Sequence, residues 1–223
     1  MIKVEFLGHA CFLITDENNR KILIDPFLTG NTLAAATAEN VEADFIFVTH
    51  NHGDHVGDTI SIAKRTGATV YSVIELAEAV VQPAGVKVAV GNIGGKQATP
   101  FGSMKFVSAV HGSGVPGGLA CGYVLEIGGK KIYHAGDTAL TRDMDLLAEE
   151  DIDLALLPIG GFYTMGPEDA ARAVKMIKPK MVVPMHYNTF PPIAQQPEHF
   201  KELVEKDSDC KVVILSPGGS LEL

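Results

Sequence analysis

The stretch Phe45-Ile46-Phe47-Val48-Thr49-His50-Asn51-His52-Gly53-Asp54-His55 joins an apolar run to a block of three histidines and an aspartate. The continuous apolar run at residues 45–48 is typical of a strand covered on both faces. Alternate residues of an extended turn point the same way, so His50 and His52 can hold one ion together. Asp54 and His55 lie beyond the bend at Gly53 and can face a second ion. Imidazole and carboxylate ligands suit zinc, and also manganese or iron.

Three further candidate ligands follow other predicted strands or hairpins. His111 ends a strand predicted at residues 104–110, Asp137 follows a hairpin predicted around Gly128-Gly129, and His186 ends a strand predicted at residues 181–185. Strand ends in such folds face a common edge, where sites are assembled. Because four ligands cannot saturate two metal ions, we expect these strand-end residues to complete the coordination shells.

Other polar residues allow more than one interpretation. His9 follows the first predicted strand, and a structural role or a place at the pocket rim fits it equally well. His134 begins the segment His134-Ala135-Gly136-Asp137, where it can lie just outside the ligand set or serve packing. Asp25 ends a predicted strand and is interpreted as a hydrogen-bond acceptor that orients an imidazole ligand. His199 lies on a polar helix face and is expected to be a solvated surface residue.

The composition indicates an ordinary globular protein. Of 223 residues, 46% are apolar and 20% are charged, so we expect one domain over residues 1–223. The 18 basic and 27 acidic side chains leave a net charge of −9, which disfavours a surface for long nucleic acid or anionic membranes. The three cysteines form no C-x-x-C pair, and no run reaches the ~20 apolar residues of a membrane helix. The opening residues have a strand-like pattern, so we do not expect them to be a signal peptide. These features predict a cytoplasmic protein with free thiols.

The order of predicted elements indicates an α/β fold. Strands come in runs in each half of the chain, with helices between them, which favours two packed sheets covered by outer helices. One helix is predicted at residues 59–65 with an end at Gly67, and another near residues 75–81. A third opens at Gly166-Pro167, and a last one carries Phe200, Leu203 and Val204 on one face.

In this order and setting, the candidate residues resemble the metallo-β-lactamase superfamily over nearly the whole chain. The matching elements are Asp25, the block Thr49-His50-Asn51-His52-Gly53-Asp54-His55, His111, Gly136-Asp137-Thr138 and His186. Two more segments, Phe6-Leu7-Gly8-His9-Ala10-Cys11 and Tyr163-Thr164-Met165-Gly166-Pro167-Glu168, resemble a small family of bacterial and archaeal metal-dependent hydrolases. Ascorbate-6-phosphate lactonases and N-acylphosphatidylethanolamine phospholipases are more distantly similar. The resemblance implies a four-layer αβ/βα sandwich, with two mixed sheets flanked by helices and metals at one edge.

The resemblance also implies how the ligands are shared between two divalent ions. His50, His52 and His111 would bind the first ion. Asp54, His55 and His186 would bind the second, and Asp137 would bridge them. Zinc is the expected metal, with manganese, nickel or iron as alternatives.

The mechanism expected from this centre is hydrolysis by a metal-bridging hydroxide. Two ions roughly 3.5–4 Å apart can lower the pKa of a bound water from 15.7 toward about 7. Asp54 is a candidate to orient the hydroxide and collect its proton, and His9, His134 and Tyr163 are candidates for the leaving-group acid. The expected substrate is a small ester, lactone or phosphodiester held between the loops at residues 112–118 and 160–166. The helix start at Gly166-Pro167 favours an anionic group on it, although a plain helix cap explains this motif equally well.

Other activities share parts of the motif. A nuclease or phosphodiesterase acting on nucleotides or RNA is the first alternative, but the chain has no Lys/Arg cluster and no room for an RNA-gripping arm. A thioester hydrolase and an iron persulfide dioxygenase share the ligand block. Flavo-diiron reductases resemble this chain less, because they carry Glu where it has His52. A non-catalytic metal-binding scaffold is disfavoured by the complete ligand set. Related lactonases form oligomers, which suggests a homo-oligomer.

Overall fold

The computed structural model describes all residues, 1–223, and contains fourteen strands. Six strands form most of the first sheet: β1 (Lys3–Gly8), β2 (Cys11–Thr15), β3 (Lys21–Ile24), β4 (Phe45–Phe47), β5 (Thr69–Val73) and β6 (Val88–Gly91). Seven form the second: β7 (Lys96–Thr99), β8 (Gly102–Ser108), β9 (Cys121–Ile127), β10 (Lys130–His134), β11 (Leu154–Pro158), β12 (Met181–Met185) and β13 (Lys211–Val212). The last strand, β14 (Ser220–Glu222), returns to the first sheet.

The two sheets have the same mixed design. Their spatial orders are β14-β1-β2-β3-β4-β5-β6 and β13-β12-β11-β10-β9-β8-β7. Pairing is parallel from β3 to β6 and from β10 to β13, and antiparallel elsewhere. The parallel strands therefore direct their carboxyl ends to one edge, and β8 runs the same way as β10 because β9 lies antiparallel to both. This geometry gathers the segments that follow β3, β4, β8, β10 and β12.

Helices flank the sheets, which confirms the predicted α/β sandwich. They are α1 (Gly53–Val56), α2 (Thr59–Thr66), α3 (Ile74–Leu76), α4 (Pro167–Ile177) and α5 (Pro197–Asp207). A π-helical turn, Ala77–Val81, and a 3-10 turn, Gln82–Ala84, continue α3. Further 3-10 segments lie at Arg142–Glu150 and Pro191–Ile193. No helix in the structure combines the length and the apolar character that crossing a membrane requires.

One contiguous cluster of 60 buried apolar residues extends across both sheets. At its centre, the Phe47 ring stacks on Tyr71 at 4.6 Å and meets Tyr123 of the opposite sheet at 5.0 Å. The Tyr123 hydroxyl donates a 2.6 Å hydrogen bond to the carbonyl of Val48, so β9 is tied to the end of β4. The three cysteines are buried free thiols, as predicted.

Most of the helices and strands predicted from the sequence are present in the structure, and those that were not predicted are short or mostly polar. Helix α2 ends at Gly67 with φ +77°, and α4 begins at Pro167, as the sequence indicates. Strand β8 ends at Ser108, earlier than predicted, so His111 lies in the loop beyond it. Strands β7 and β14 were not predicted, because edge strands of three or four mostly polar residues lack apolar alternation. The 3-10 segment Arg142–Glu150 was not predicted either.

Candidate metal centre

The seven expected ligands converge at the carboxyl edge of the two sheets. The first sheet supplies the histidine block, residues 50–55, which follows β4. The second sheet supplies His111, Asp137 and His186, which follow β8, β10 and β12. Backbone hydrogen bonds hold these segments together across the edge. The His186 N–H donates to the His9 carbonyl at 2.7 Å, and the Asn51 N–H donates to the Ser113 carbonyl at 2.8 Å. The ligand positions are therefore set by contacts between the sheets.

The first group consists of His50, His52 and His111. Nδ1 of His52 lies 3.0 Å from Nε2 of His50 and 3.3 Å from Nε2 of His111. Zinc binds imidazole nitrogens at about 2.0–2.1 Å in a tetrahedral arrangement, which separates neighbouring ligand atoms by about 3.3 Å. The three rings thus present their nitrogens at the spacing that one zinc ion requires.

The second group consists of Asp54, His55 and His186, and Asp137 lies between the two groups. Asp137 Oδ1 is 3.2 Å from His55 Nε2, and Asp137 Oδ2 is 3.1 Å from His186 Nε2. The same Oδ2 atom lies 3.5 Å from His111 Nε2, which belongs to the first group. Asp54 Oδ2 approaches His186 Nε2 at 3.8 Å. Asp137 therefore faces both groups, which is the position that the family resemblance implies for a bridging ligand.

Unpaired buried atoms show that the donors fit a cation. His55 Nε2, His186 Nε2 and Asp137 Oδ1 are buried and have no hydrogen-bond partner. Burying such atoms without a partner costs about 1–3 kcal/mol each, so native proteins rarely leave them unmatched. Here His55 Nε2 and Asp137 Oδ1 lie 3.2 Å apart, and His186 Nε2 lies 3.1 Å from the other Asp137 oxygen. Imidazole nitrogen and carboxylate oxygen are the donors that zinc accepts. The residues present therefore fit a metal centre.

Asp25 and Thr49 support the ligands from behind. Asp25 Oδ2 accepts a hydrogen bond from His55 Nδ1 at 2.7 Å and another from the Thr49 hydroxyl at 2.7 Å. The Thr49 N–H donates to the other Asp25 oxygen at 2.8 Å, and the Thr49 hydroxyl lies 3.0 Å from His50 Nδ1. These contacts leave Nε2 of His50 and His55 facing the centre. Asp25 is therefore a hydrogen-bond acceptor behind an imidazole, as predicted, and its role in orienting a metal ligand stays a prediction. The sequence assigned no role to Thr49, although it immediately precedes His50.

The buried histidines and carboxylates of the site shift one another's pKa values. Burial, followed by repulsion from His55, lowers the pKa of His50 from 6.5 to about 2, so His50 is neutral at pH 7. Burial also disfavours charge on His55, but attraction to Asp137 and Asp25 outweighs burial and raises the pKa of His55 well above its usual value. Likewise, burial of Asp137 is outweighed by His55 and His186, which hold its pKa well below the usual range. Asp137 thus stays ionised among the donor nitrogens, and its negative charge favours a bound cation.

The candidates for the leaving-group acid occupy three different settings. His134 is fully buried, with Nε2 2.9 Å from the Ala10 carbonyl and Nδ1 accepting from the Gly136 N–H at 3.1 Å. His134 is thus engaged by the backbone on both sides and is not brought to the ligands. His9 is brought to them, with Nε2 3.2 Å from Asp54 Oδ2. Tyr163 is 54% exposed on the loop after β11.

Two loops border the centre. An added Cβ at Gly112 would lie 3.8 Å from the His52 ring, so the loop at residues 112–118 passes beside the first group. The loop at residues 160–166 is attached next to Asp137, because the Met165 N–H donates to the Thr138 carbonyl at 3.1 Å. His199 lies away from the centre on α5, exposed and 3.2 Å from Glu168, as predicted for a surface residue.

Comparisons with known proteins agree with this geometry. A family model described as beta-lactamase superfamily domain matches residues 3–186. A UPF0173 metal-dependent hydrolase of Thermococcus onnurineus is 52% identical over 228 residues, covering 100% of both chains. One of Heliobacterium modesticaldum is 50% identical over 235 residues, covering 100% of this chain and 98% of the relative.

A solved structure shows the same agreement in three dimensions. Igni18, described as a metallo hydrolase of the archaeon Ignicoccus hospitalis, superposes with a TM-score of 0.91 and 38% identity, covering 100% of this chain and 99% of that chain. Fold, ligand pattern and relatives lead to one assignment. This chain belongs to the metallo-β-lactamase superfamily and, within it, to the UPF0173 family of metal-dependent hydrolases.

Proposed function

We propose that this protein is a dinuclear metal-dependent hydrolase that cleaves a small ester, lactone or phosphodiester. The observation that carries the proposal is that His55 Nε2, His186 Nε2 and Asp137 Oδ1 are buried without a hydrogen-bond partner. Asp137 Oδ1 lies 3.2 Å from His55 Nε2, and the other Asp137 oxygen lies 3.1 Å from His186 Nε2. His50, His52 and His111 would hold one ion, and Asp54, His55 and His186 the other, with Asp137 shared. Zinc is the proposed metal because imidazole nitrogens dominate the donor set. When bound, the ions activate a water molecule for attack and act as Lewis acids toward the substrate.

Asp54 is the carboxylate of the centre that substrate and water can reach. Its side chain is 27% exposed, whereas that of Asp137 is 3% exposed. Burial would raise the pKa of Asp54, but the His9 hydrogen bond and the charge of His55 outweigh burial and lower it. Asp54 is therefore ionised at neutral pH, and we assign it the orientation of the attacking water and the acceptance of its proton.

Tyr163 is the remaining candidate to protonate the leaving group. Both ring nitrogens of His134 face backbone groups, and those of His9 face Asp54 and Thr189. The exposed Tyr163 ring packs edge-on against Phe162, which is 70% exposed, on the loop that borders Asp137. A small substrate with an apolar or aromatic leaving group would match this loop.

The test combines metal analysis with hydrolysis assays. Zinc or manganese content and turnover of p-nitrophenyl acetate and bis(p-nitrophenyl) phosphate are measured for the wild type and for His52→Ala and Asp137→Ala. Each variant should lose bound metal and most of its turnover, while His199→Ala, an exposed histidine outside the centre, should match the wild type. Full turnover by a variant that has lost its metal would exclude the proposed chemistry.

A further inference from the structure

His9 is a buried polar side chain whose contacts the ligand set does not explain. Its side chain has no exposed surface, yet both ring nitrogens have side-chain partners. Nε2 lies 3.2 Å from Asp54 Oδ2, and Nδ1 lies 2.9 Å from the Thr189 hydroxyl. Thr189 is 180 positions away in sequence and comes from the loop after His186. His9 therefore connects an expected metal ligand to the loop that carries another.

We propose that His9, with its tautomer set by Thr189, is a positioning residue that holds the Asp54 carboxylate in place for the second metal ion. This inference rests on the proposed dinuclear function. An ionised carboxylate only accepts hydrogen bonds, so the His9 Nε2–H must donate to Asp54. In the neutral ring, Nδ1 is then an acceptor, and the Thr189 hydroxyl can donate to it. Carboxylate ligands held by such outer contacts keep their orientation when metal binds.

The backbone and the surrounding rings fix His9 in this orientation. His9 has φ +59°, a left-handed conformation unusual for a residue with a side chain, and its carbonyl accepts the 2.7 Å hydrogen bond from the His186 N–H. The His9 ring lies 4.1 Å from that of His186 and meets Phe27 and Phe190 edge-on, each at 5.6 Å. Because the His9 ring is enclosed by other rings and its backbone conformation is strained, the side chain is suited to holding a neighbour in place rather than to moving as a proton donor. The ring also lacks the access to substrate that a leaving-group acid needs.

The preceding residue shows why the turn has this form. Gly8 has φ +111°, and a Cβ there would lie 2.8 Å from the Leu33 carbonyl oxygen. Only glycine fits this approach without displacing the backbone. The backbone conformation of the Leu7-Gly8-His9-Ala10 segment thus places the His9 imidazole within hydrogen-bond distance of the Asp54 carboxylate.

Substitutions that keep or remove the donor separate positioning from direct ligation. His9→Gln retains an N–H that can reach Asp54, but an amide is a far weaker zinc ligand than imidazole. His9→Leu removes both properties. Matched changes at exposed His199, namely His199→Gln and His199→Leu, control for loss of a histidine as such. Thr189→Ser keeps the hydroxyl that sets the tautomer, and Thr189→Val removes it.

The measurement is a zinc titration of each chelator-treated protein with a competing chromophoric chelator, followed by kcat and KM on p-nitrophenyl acetate. We expect His9→Leu to bind the second zinc about 10–100-fold more weakly than the wild type, with the first zinc unchanged. His9→Gln should recover most of that affinity. Thr189→Val should lose less affinity for the second zinc than His9→Leu does, and Thr189→Ser should retain the wild-type affinity. In zinc excess, kcat should fall in His9→Leu with little change in KM.

The outcomes are distinguishable. A wild type that binds fewer than two zinc ions contradicts the dinuclear function itself. If the wild type binds two and His9→Leu matches it, His9 does not position Asp54. Equal losses in His9→Gln and His9→Leu would make His9 a ligand, which also overturns the proposal. Should His9→Leu fail to fold, as judged by thermal unfolding of the metal-free protein, the Thr189→Val and Thr189→Ser pair provides the same comparison.

Discussion

At the scale of single residues, side chains outside the expected ligand set hold two of the expected ligands in place. Asp25 and Thr49 hold the far nitrogens of His55 and His50, so the near nitrogens face the site. Asp25 adopts φ +45° and His186 φ +55°, both left-handed conformations with an energetic cost of about 1–3 kcal/mol each. Strain at these positions is consistent with backbone that is shaped for ligand placement rather than for stability.

Asp25→Asn tests the support behind His55. The amide keeps the size of the carboxylate but loses its charge and one acceptor oxygen. Depending on which way the amide faces, either the Thr49 N–H loses its acceptor or His55 Nδ1 and the Thr49 hydroxyl both lose theirs. We expect zinc affinity to fall about 10–100-fold and the free energy of unfolding to fall by about 1–3 kcal/mol. Zinc titration and urea unfolding measure both. Exposed Asp209→Asn is the control, and equal behaviour of the two variants would contradict the supporting role.

The buried imidazoles predict how the metal-free protein responds to acid. Burial lowers the pKa of His50 to about 2 and that of His9 to about 4. The unfolded chain exposes both at about 6.5, so between about pH 6.5 and pH 4 it binds protons that the folded state does not. The free energy of unfolding should therefore fall with pH across this window. The raised pKa of His55 cannot offset the fall, because its contribution is already complete below about pH 6.5.

Thermal unfolding in excess chelator measures this response. The melting temperature should decrease steadily from about pH 6.5 to about pH 4.5. A melting temperature that is constant or rises toward acid would show that these imidazoles are accessible to protons in the folded protein.

At the scale of elements, turns after the strands place the ligands. The turn after β10 carries Asp137 and requires Gly136, which has φ +60°. A Cβ at Gly136 would lie 2.8 Å from the Cys121 carbonyl oxygen and 2.9 Å from Thr49 Cβ. The turn is thus packed between β9 and Thr49 at the start of the histidine block. A larger side chain at Gly136 would therefore displace atoms that belong to both sheets.

Gly136→Ala should displace Asp137, and Gly129→Ala is a matched control. Gly129 also has positive φ, at +77°, but no atom lies within 4 Å of its added Cβ. The control should lose about 1–2 kcal/mol of stability from its backbone conformation alone. Gly136→Ala should lose about 2–5 kcal/mol and also bind zinc more weakly. Urea unfolding and zinc titration test this pair, and indistinguishable variants would show that the turn does not constrain Asp137.

At the scale of the whole molecule, the candidate metal centre lies across the junction of two sheets. Residues 50–55 follow a strand of the first sheet, and His111, Asp137 and His186 follow strands of the second. The shared apolar core and the Tyr123 hydrogen bond to Val48 already join the sheets. Bound ions would add a second connection at the edge, so metal binding should stabilise the entire fold.

Chelation tests this connection. A zinc concentration about 100-fold above the dissociation constant adds about 2.7 kcal/mol of stability. For a chain of this length that corresponds to a melting temperature about 5–10 °C higher with zinc than with EDTA. Added zinc should restore the higher value, and magnesium, which prefers oxygen ligands, should not. Identical melting temperatures with and without zinc would show that zinc does not bind preferentially to the folded protein, which contradicts the proposed metal centre.

The sequence by itself determined the fold class and the candidate ligands. Apolar runs that end in His50, Asp137 or His186 are local patterns, and strand direction then requires their ends to share an edge. The role of Asp25 was predictable for the same reason, since it ends β3 beside β4. The polar edge strands β7 and β14 were not predictable, because pairing with a neighbouring strand, rather than an apolar pattern, defines them.

Only the tertiary structure decided which of the remaining histidines contacts an expected ligand. His9 and His134 both end or follow predicted strands, yet one contacts Asp54 and the other is held by backbone on both sides. The difference arises from contacts such as that between His9 and Thr189, 180 positions apart. Local sequence patterns carry no information about such a pair, because the packing of the two sheets brings its members together.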